Sequence, residues 1–452
     1  MSEETPRQFS AIEAQKVSDV ESPGLIVTKE EILSSKEESI YESKRVDELD
    51  KPPDGGYGWF VVLACFLVHF SILGTCFTWG IFQRYYVESM IFGETSNAVI
   101  SFVGTIGVSC LDLWGLVTGS ICEKLGYRRT MFVGVILLSA SFIIASFSTQ
   151  IWHLFLTQGF MYSVGGGLLY FPPLGAVPQW FQKHRGLALG LGISGSGIGG
   201  LVYNPLAQFL LVKVGIRWTL RILAIMNLFI GLIATILTKP RIRSSPEDVT
   251  FAGYLKVIKD TRLLFLSSIA MVTFFGFFVP FNLIPTYAAD IGLTPDQGAL
   301  VAGVLNGFSA FGRLGLGILS DYIGAMNTIF LSPFVGGLSI LLIWSFSSNF
   351  GILIFFSVVY GVMGGGLISL LPIVTTSIFG LDQTATRIGI VFGISTVGTL
   401  LGTPISGALL DSTGANVSYM GVIGFSGGMY LLGAAMVVYL KFKVNGKIIS
   451  IS

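Results

Sequence analysis

Twelve apolar runs separated by short polar breaks fill the chain from Trp59 onward. Each run is about 18 to 25 residues long, the length that an α-helix needs to cross about 30 Å of hydrocarbon. Of the 452 residues, only 12% are charged, about half the share of an ordinary soluble domain. We therefore predict an all-α integral membrane protein with twelve transmembrane helices. The predicted spans are 59–82, 97–120, 129–148, 152–177, 185–211, 219–238, 262–289, 297–319, 327–346, 350–377, 386–410 and 417–440.

The spans divide into two groups of six. The longest polar break, residues 239–261, is strongly charged and separates residues 54–238 from residues 262–440. The pattern Gly119-x-x-x-Glu123 recurs as Gly317-x-x-x-Asp321 after 198 residues, and the glycine triplet 165–167 recurs after 199. A constant offset predicts two pseudo-symmetric six-helix bundles related by an axis along the membrane normal. This arrangement resembles that of major facilitator transporters.

The polar segments outside the spans indicate the orientation. Residues 1–53 combine many Glu, Ser and Lys residues with few aromatic ones, a composition that does not bury enough surface to fold alone. We predict a disordered acidic tail that either binds regulatory proteins or is a solvated spacer. In the membrane body, fifteen lysines and arginines fall on the side of this tail and four on the other. The positive-inside rule then places both termini, including residues 441–452, in the cytoplasm.

Two motifs resemble the signatures of the monocarboxylate transporter family. The first, at the start of the first span, reads Asp54-Gly55-Gly56-Tyr57-Gly58-Trp59. The second leads into the fifth span and reads Trp180-Phe-Gln-Lys-His-Arg185-Gly186. Residues 78–86 are similar to the fungal branch of the family. Family members carry lactate, pyruvate and other monocarboxylates, aromatic amino acids, thyroid hormones or riboflavin, so the resemblance implies a small organic solute without naming it.

A loop after the second span resembles the corresponding loop of the major facilitator superfamily. It contains Gly119, Glu123, Arg128 and Arg129, and Asp321 stands in the second copy. The resemblance implies a carrier with the major facilitator fold. Because the loop lies at the cytoplasmic end of the predicted interface between the bundles, we expect these residues to govern conformational switching rather than solute affinity.

Arg313 is a lone positive charge inside the apolar, glycine-rich eighth span. A guanidinium near a bilayer centre costs roughly 2.5–3.5 kcal/mol on the mildest insertion scale, so it is expected to face a polar cavity or a partner. Its planar donor fork matches a carboxylate, and its charge is fixed at cell pH. We predict a solute-binding or gating residue. The alternative is a side chain that extends toward the cytoplasmic face, where Asp321 follows about two turns later.

Two other ionisable residues lie inside the spans. Asp112 is either a proton carrier or a carboxylate bonded at the interface between the bundles, and the second role is favoured because helix two of this fold usually packs. His69 titrates near neutral pH when unperturbed, which suits proton coupling or solute binding, but it also suits a bond to a neighbouring helix. In proton-coupled animal relatives an aspartate lies four residues before the arginine of helix eight. Ser309 occupies that place here, so the resemblance leaves proton coupling open.

Four further polar and aromatic residues complete the predicted site. Asn282 lies between two prolines that are expected to break helix seven and free backbone carbonyls toward a cavity. Asn306 is placed similarly on the next helix. Tyr170 and Tyr360 lie in the fourth and tenth spans, where they either grip a planar solute or pack.

No nucleophile, metal-ligand or nucleotide-binding pattern accompanies these residues, so we expect no enzyme activity, cofactor, metal or nucleic-acid partner. We predict a carrier of the plasma membrane, rather than the vacuolar membrane, that moves a small carboxylate-bearing solute by alternating access, with protons as an open question. One alternative is a proton-independent carrier of a larger planar solute such as riboflavin or an aromatic acid. The other is a transport-deficient nutrient receptor.

Overall fold

A computed structural model describes residues 52–93, 97–242, 251–412 and 418–445. The predicted acidic tail up to residue 51, the linker residues 243–250 and the terminal residues 446–452 lie outside the described residues. Every regular element in the described ranges is a helix. The all-α prediction is confirmed.

The first six membrane helices follow the predicted spans. Helix α1 continues past a break at Thr78, and the middle turns of α4 widen into a π-helix. Helices α5 and α6 form one continuous run that is kinked at Gly215, whose φ of 73° is non-helical. The bounds are Gly58–Phe77 and Trp79–Glu88 for α1, Asn97–Leu125 for α2, Tyr127–Ala145 for α3, Ile151–Leu154, Phe155–Met161 and Tyr162–Ala176 for α4, and Arg185–Leu237 for α5 and α6 together.

A short linker helix, Phe251–Ile258, leads to the second six. Their bounds are Thr261–Asp290 for α7, Pro295–Ile323 for α8, Ala325–Leu338, Ser339–Ile343 and Trp344–Phe346 for α9, Phe350–Phe379 for α10, Thr384–Asp411 for α11, and Met420–Asn445 for α12. Ten helices of the described residues are long and apolar enough to cross a membrane, and with Arg185–Leu237 counted as two and the divided α4 added they correspond to the twelve predicted spans.

The expected break in α7 does not occur. Pro280 and Pro285 both lie inside a helix that is continuous over its 30 residues. Prolines are tolerated in membrane helices where neighbouring groups satisfy the freed backbone carbonyls. The prolines of α7 therefore leave the helix intact instead of opening it toward a cavity.

The internal repeat appears in the backbone. Gly126 joins α2 to α3 with a φ of 87° and a ψ of 147°, and Gly324 joins α8 to α9 with a φ of 89° and a ψ of 147°. These conformations favour glycine because it has no Cβ. Two equivalent junctions 198 residues apart support the prediction of two pseudo-symmetric bundles, while the exact bundle limits, 54–238 and 262–440, stay a prediction.

The two bundles meet through α5 against α8 and α2 against α11. A Cβ added at Gly186 of α5 would lie 2.0 Å from the carbonyl oxygen of Gly317 on α8. A Cβ added at Gly119 of α2 would lie 2.2 Å from the Cα of Thr386 on α11. Only small residues allow backbones to approach this closely.

The bundles do not pack equally along their length. Gly303 and Gly307 of α8 and Gly407 of α11 would find no atom within 4 Å of an added Cβ. They lie toward the end of the bundle opposite Gly186 and Gly119. The bundles are thus tightly packed at the end of Gly186 and Gly119, which we call the closed end, and Gly303, Gly307 and Gly407 take no part in this packing.

Close packing inside the first bundle predicts a stability difference between two glycine variants. In Gly165→Ala the new methyl group would lie 2.4 Å from the backbone nitrogen of Leu138 on α3, and overpacking of this kind costs about 1–3 kcal/mol. Gly428→Ala on α12 adds the same methyl group where no atom lies within 4 Å. Thermal unfolding of the purified protein in detergent is expected to show a lower midpoint for Gly165→Ala alone. Equal midpoints for the two variants would contradict the packing described here.

Candidate functional site

Arg313 lies in the middle of α8 and is only 3% exposed. One terminal nitrogen, Nη1, donates a 2.7 Å hydrogen bond to the Ser196 hydroxyl of α5, in the other bundle. The Nε–H is buried and has no partner. No described carboxylate forms an ion pair with this guanidinium. A buried cation that keeps a free donor is suited to bind an anionic partner, and the described residues do not supply one.

His69 of α1 is fully buried and lies within electrostatic range of Arg313. Its Nδ1 lies 2.8 Å from the carbonyl oxygen of Cys65, one turn earlier on the same helix. Its Nε2 is buried without a partner. The imidazole ring rests on the Tyr170 ring of α4, with 4.7 Å between the ring centroids.

Tyr170 is the centre of this cluster. Its ring also meets Phe171 at 5.1 Å and Phe392 of α11 at 6.2 Å. Asp112 and Arg313 both lie within electrostatic range of Tyr170. Asp112 is half-buried on α2 and has no hydrogen-bond partner among the described residues. The fold therefore brings Arg313, His69 and Tyr170 together, with Asp112 beside them.

Three other predicted residues lie apart from this cluster. Tyr360 of α10 is fully buried and donates to the carbonyl of Phe277 at 2.7 Å, within the second bundle. The Asn282 amide donates to the Thr403 hydroxyl at 2.9 Å, and the Asn306 amide donates to the carbonyl of Ala302 on its own helix. Tyr360 therefore packs inside its own bundle, which was the alternative to gripping a solute. Asn282 links α7 to α11.

Asp321 closes the contact between the bundles. Its two carboxylate oxygens accept hydrogen bonds from the backbone N–H groups of Gly186 at 2.7 Å and Leu187 at 2.9 Å. These groups belong to the first turn of α5, where unpaired donors and the helix dipole favour a negative charge. Because the Asp321 carboxylate is bound to α5, it does not pair with Arg313.

Glu123 makes the equivalent contact in the other half. Its carboxylate accepts a 2.9 Å hydrogen bond from the Thr386 hydroxyl in the first turn of α11. Arg128 instead bonds the carbonyl oxygens of Ile236 and Thr238 at the end of α6, and Arg129 is exposed. Of the predicted switch residues, the two carboxylates and Gly119 therefore touch the other bundle.

The two signature motifs contact each other at the same end. The Asp54 carboxylate accepts hydrogen bonds from the backbone N–H groups of Gln182 and Lys183, both at 2.7 Å. Gly58 leaves room for the Trp180 side chain, since an added Cβ would lie 2.8 Å from it. The first motif therefore shapes the loop that positions α5.

The remaining signature residues support that loop. Gly56 has a φ of 60°, which favours glycine, and Gly55 lies beside the Trp59 indole. The Trp59 ring meets the Phe181 ring at 5.0 Å, and Arg185 donates to the carbonyl of Phe181. Gly186, the last residue of the second motif, makes the backbone contact with α8.

Ser196, Thr386 and Phe392 contribute contacts that the sequence alone did not predict. Ser196 lies in a glycine-rich stretch of α5 that reads only as a packing surface. The internal repeat contained a signal for Thr386. It stands 199 residues after Leu187, and the Leu187 N–H donates to Asp321, the counterpart of Glu123 in the second half. Phe392 carries no local signal.

Two membrane bundles that close on each other at one end, with an unpaired cationic side chain between them, define a multi-pass transport protein. The family model described as the Major Facilitator Superfamily matches residues 59–339 and 266–447. The chain belongs to this superfamily.

Named relatives and a solved structure agree with this membership. The MFS transporter asaE of Aspergillus flavus is 32% identical over 403 residues, covering 88% of this chain and 90% of the relative. The aspyridones efflux protein apdF of Emericella nidulans is 30% identical and covers 92% of this chain and 84% of its own length. The Escherichia coli fucose:proton symporter FucP has a similar fold, with a TM-score of 0.65 at 14% identity over 85% of this chain and 99% of FucP.

The carboxylate contacts predict how the closed end responds to mutation. Asp321→Ala removes two charge-assisted hydrogen bonds between the bundles, each typically worth about 1.5–3 kcal/mol, so a state open at this end should gain at least about tenfold in population. The open state can be measured in the full chain in nanodiscs with spin labels at the exposed residues Lys124 and Asp382. It would appear as a second, longer distance between the two labels. Asp296→Ala, at the exposed opposite end of α8, is the matched control. An unchanged distance distribution in Asp321→Ala would show that this contact does not hold the bundles closed.

Proposed function

We propose that the chain is a carrier that moves a small carboxylate-bearing organic solute across a membrane by alternating access. The observation that carries the proposal is the buried guanidinium of Arg313, which has a free Nε–H and no carboxylate partner among the described residues. A planar fork of N–H donors is suited to bind a carboxylate through two parallel bonds. Ser196 occupies one terminal nitrogen and leaves the remaining donors for the solute.

The rings beside His69 support a solute with a planar body. Tyr170, Phe171 and Phe392 meet edge to face with centroids 5.1 to 6.2 Å apart. Such rings present large, rigid apolar surfaces, while Arg313 and His69 supply the polar contacts. The proposed solute is therefore an acid carried on an aromatic or conjugated body, which joins the carboxylate proposal with that of a larger planar solute.

Alternating access rests on the unequal packing of the two bundles. One end is held by Asp321, Glu123 and close glycine contacts, while Gly303, Gly307 and Gly407, toward the other end, make no close contact. Residues 54–238 and 262–440 act as the two moving units, and residues 239–261 connect them. If both termini are cytoplasmic, as the positive-inside rule predicts, this state is closed toward the cytoplasm and opens outward.

The coupling and direction of transport are separate parts of the proposal. Asp112 or His69 is the group that would carry a coupled proton, since Ser309 stands where proton-coupled relatives have an aspartate.

The name of apdF, an aspyridones efflux protein, favours export, and export favours the plasma membrane. The contact between the two signature motifs supports assignment to the fungal monocarboxylate-transporter branch of the superfamily.

A transport-deficient receptor is the rival proposal. Removal of residues 1–50 from the chain separates the two, because a carrier keeps its transport without the acidic tail whereas a receptor loses its signal. Loss of a cellular nutrient response with no transport in either form would favour the receptor.

Arg313 allows charge and geometry to be tested separately. In Arg313→Gln the solute anion loses a charged partner, which typically costs about 1.5–3 kcal/mol, so its half-saturation concentration should rise about ten- to one-hundredfold. Arg313→Lys restores the charge without the planar fork and should recover only part of this loss. The half-saturation concentration of each variant is measured from the uptake of labelled benzoate and related acids into proteoliposomes. The amount of each variant protein in the membrane shows that it is inserted. Unchanged acid transport by Arg313→Gln would contradict the proposed function.

A further inference from the structure

Two buried polar atoms of opposite character lie beside Tyr170 without partners. One is the Nε–H of Arg313, which can only donate, and the other is Nε2 of His69. His69 is fully buried and Arg313 is 3% exposed. Buried polar groups of proteins are almost always hydrogen-bonded, so these two atoms are suited to a ligand that supplies both an acceptor and a donor.

The local contact of His69 determines what its Nε2 requires. Nδ1 lies 2.8 Å from the carbonyl oxygen of Cys65. A carbonyl oxygen only accepts, so Nδ1 carries the hydrogen. In the neutral ring Nε2 is then a bare acceptor, and it needs a donor from outside the ring.

We infer that His69 selects solutes that carry a hydroxyl or N–H donor in addition to the carboxylate. This inference rests on the proposed function, in which Arg313 binds the carboxylate, and adds a second point of recognition to the same site. The Tyr170 ring packs against the imidazole at a tilt of 51° and helps to hold it in place, so the acceptor keeps one direction. The ligand class is a planar hydroxylated acid, of which the hydroxybenzoates are the simplest members.

The placement of the two residues suits a carrier. His69 and Ser196 belong to the first bundle, and Arg313 belongs to the second. Rocking of the bundles changes the distance between His69 and Arg313, so a solute that bonds both is released when they separate. The assignment of His69 to solute recognition leaves Asp112 as the group for a coupled proton.

The test compares acids that differ only in a hydroxyl group. Binding of labelled benzoate to the full chain in nanodiscs is displaced by benzoate and by 2-, 3- and 4-hydroxybenzoate. One net hydrogen bond of ordinary strength predicts that at least one hydroxybenzoate binds about fivefold more tightly than benzoate. His69→Leu should bring this ratio to about one, and His69→Gln, which can present an acceptor at the position of Nε2, should keep part of it.

Two further variants make the result specific. His153→Leu changes a histidine whose Nδ1 accepts backbone N–H groups at the start of α4, and it should leave the ratio unchanged. Arg313→Gln should weaken all four acids while the ratio persists. Equal binding of benzoate and every hydroxybenzoate to the unmodified chain, or a ratio that survives in His69→Leu, overturns the inference alone. No saturable binding of any acid, or full binding by Arg313→Gln, overturns the proposed function together with it.

Discussion

The direct contact of helix backbones between the two bundles is the constraint on which the rest of the structure depends. Gly186 lets α5 touch α8, and Gly119 lets α2 touch α11, at distances that no larger side chain permits. Only at this separation can Asp321 accept hydrogen bonds from the first turn of α5. In a membrane, where lipid is as apolar as the helix surfaces, such packing and hydrogen bonds supply the association energy that the hydrophobic effect supplies in water.

This closure also explains why a lone cation can be buried. Closed bundles bring Ser196 to within 2.7 Å of Arg313 and surround the guanidinium with protein rather than lipid. One neutral hydrogen bond does not compensate a full buried charge. The charge is therefore retained at a cost to stability, as is usual for functional groups inside membrane proteins. A solute anion that relieves this cost would bind most strongly where both bundles contribute contacts, which is the requirement for a carrier that changes conformation around its solute.

Most of the fold could be predicted from the sequence, because lipid imposes length and polarity on each segment. The apolar runs predicted all twelve helices, and the repeat predicted the equivalent backbone at Gly126 and Gly324. The site was only partly predictable. Arg313, His69 and Tyr170 come together, but Tyr360 packs within its own bundle because its hydroxyl finds the carbonyl of Phe277. Which residue a buried side chain contacts depends on how its helix is rotated about its own axis. A helix that is hydrophobic on all sides carries no sequence signal for that rotation.

The most direct test of this account is a map of the full chain in lipid nanodiscs, determined by electron cryomicroscopy with saturating benzoate. We expect density for the carboxylate about 3 Å from the Arg313 guanidinium, with the ring of the acid against Tyr170 and in contact with both bundles. A map in which Arg313 keeps Ser196 as its single partner, and in which no acid occupies the space between the bundles, would contradict the central claim.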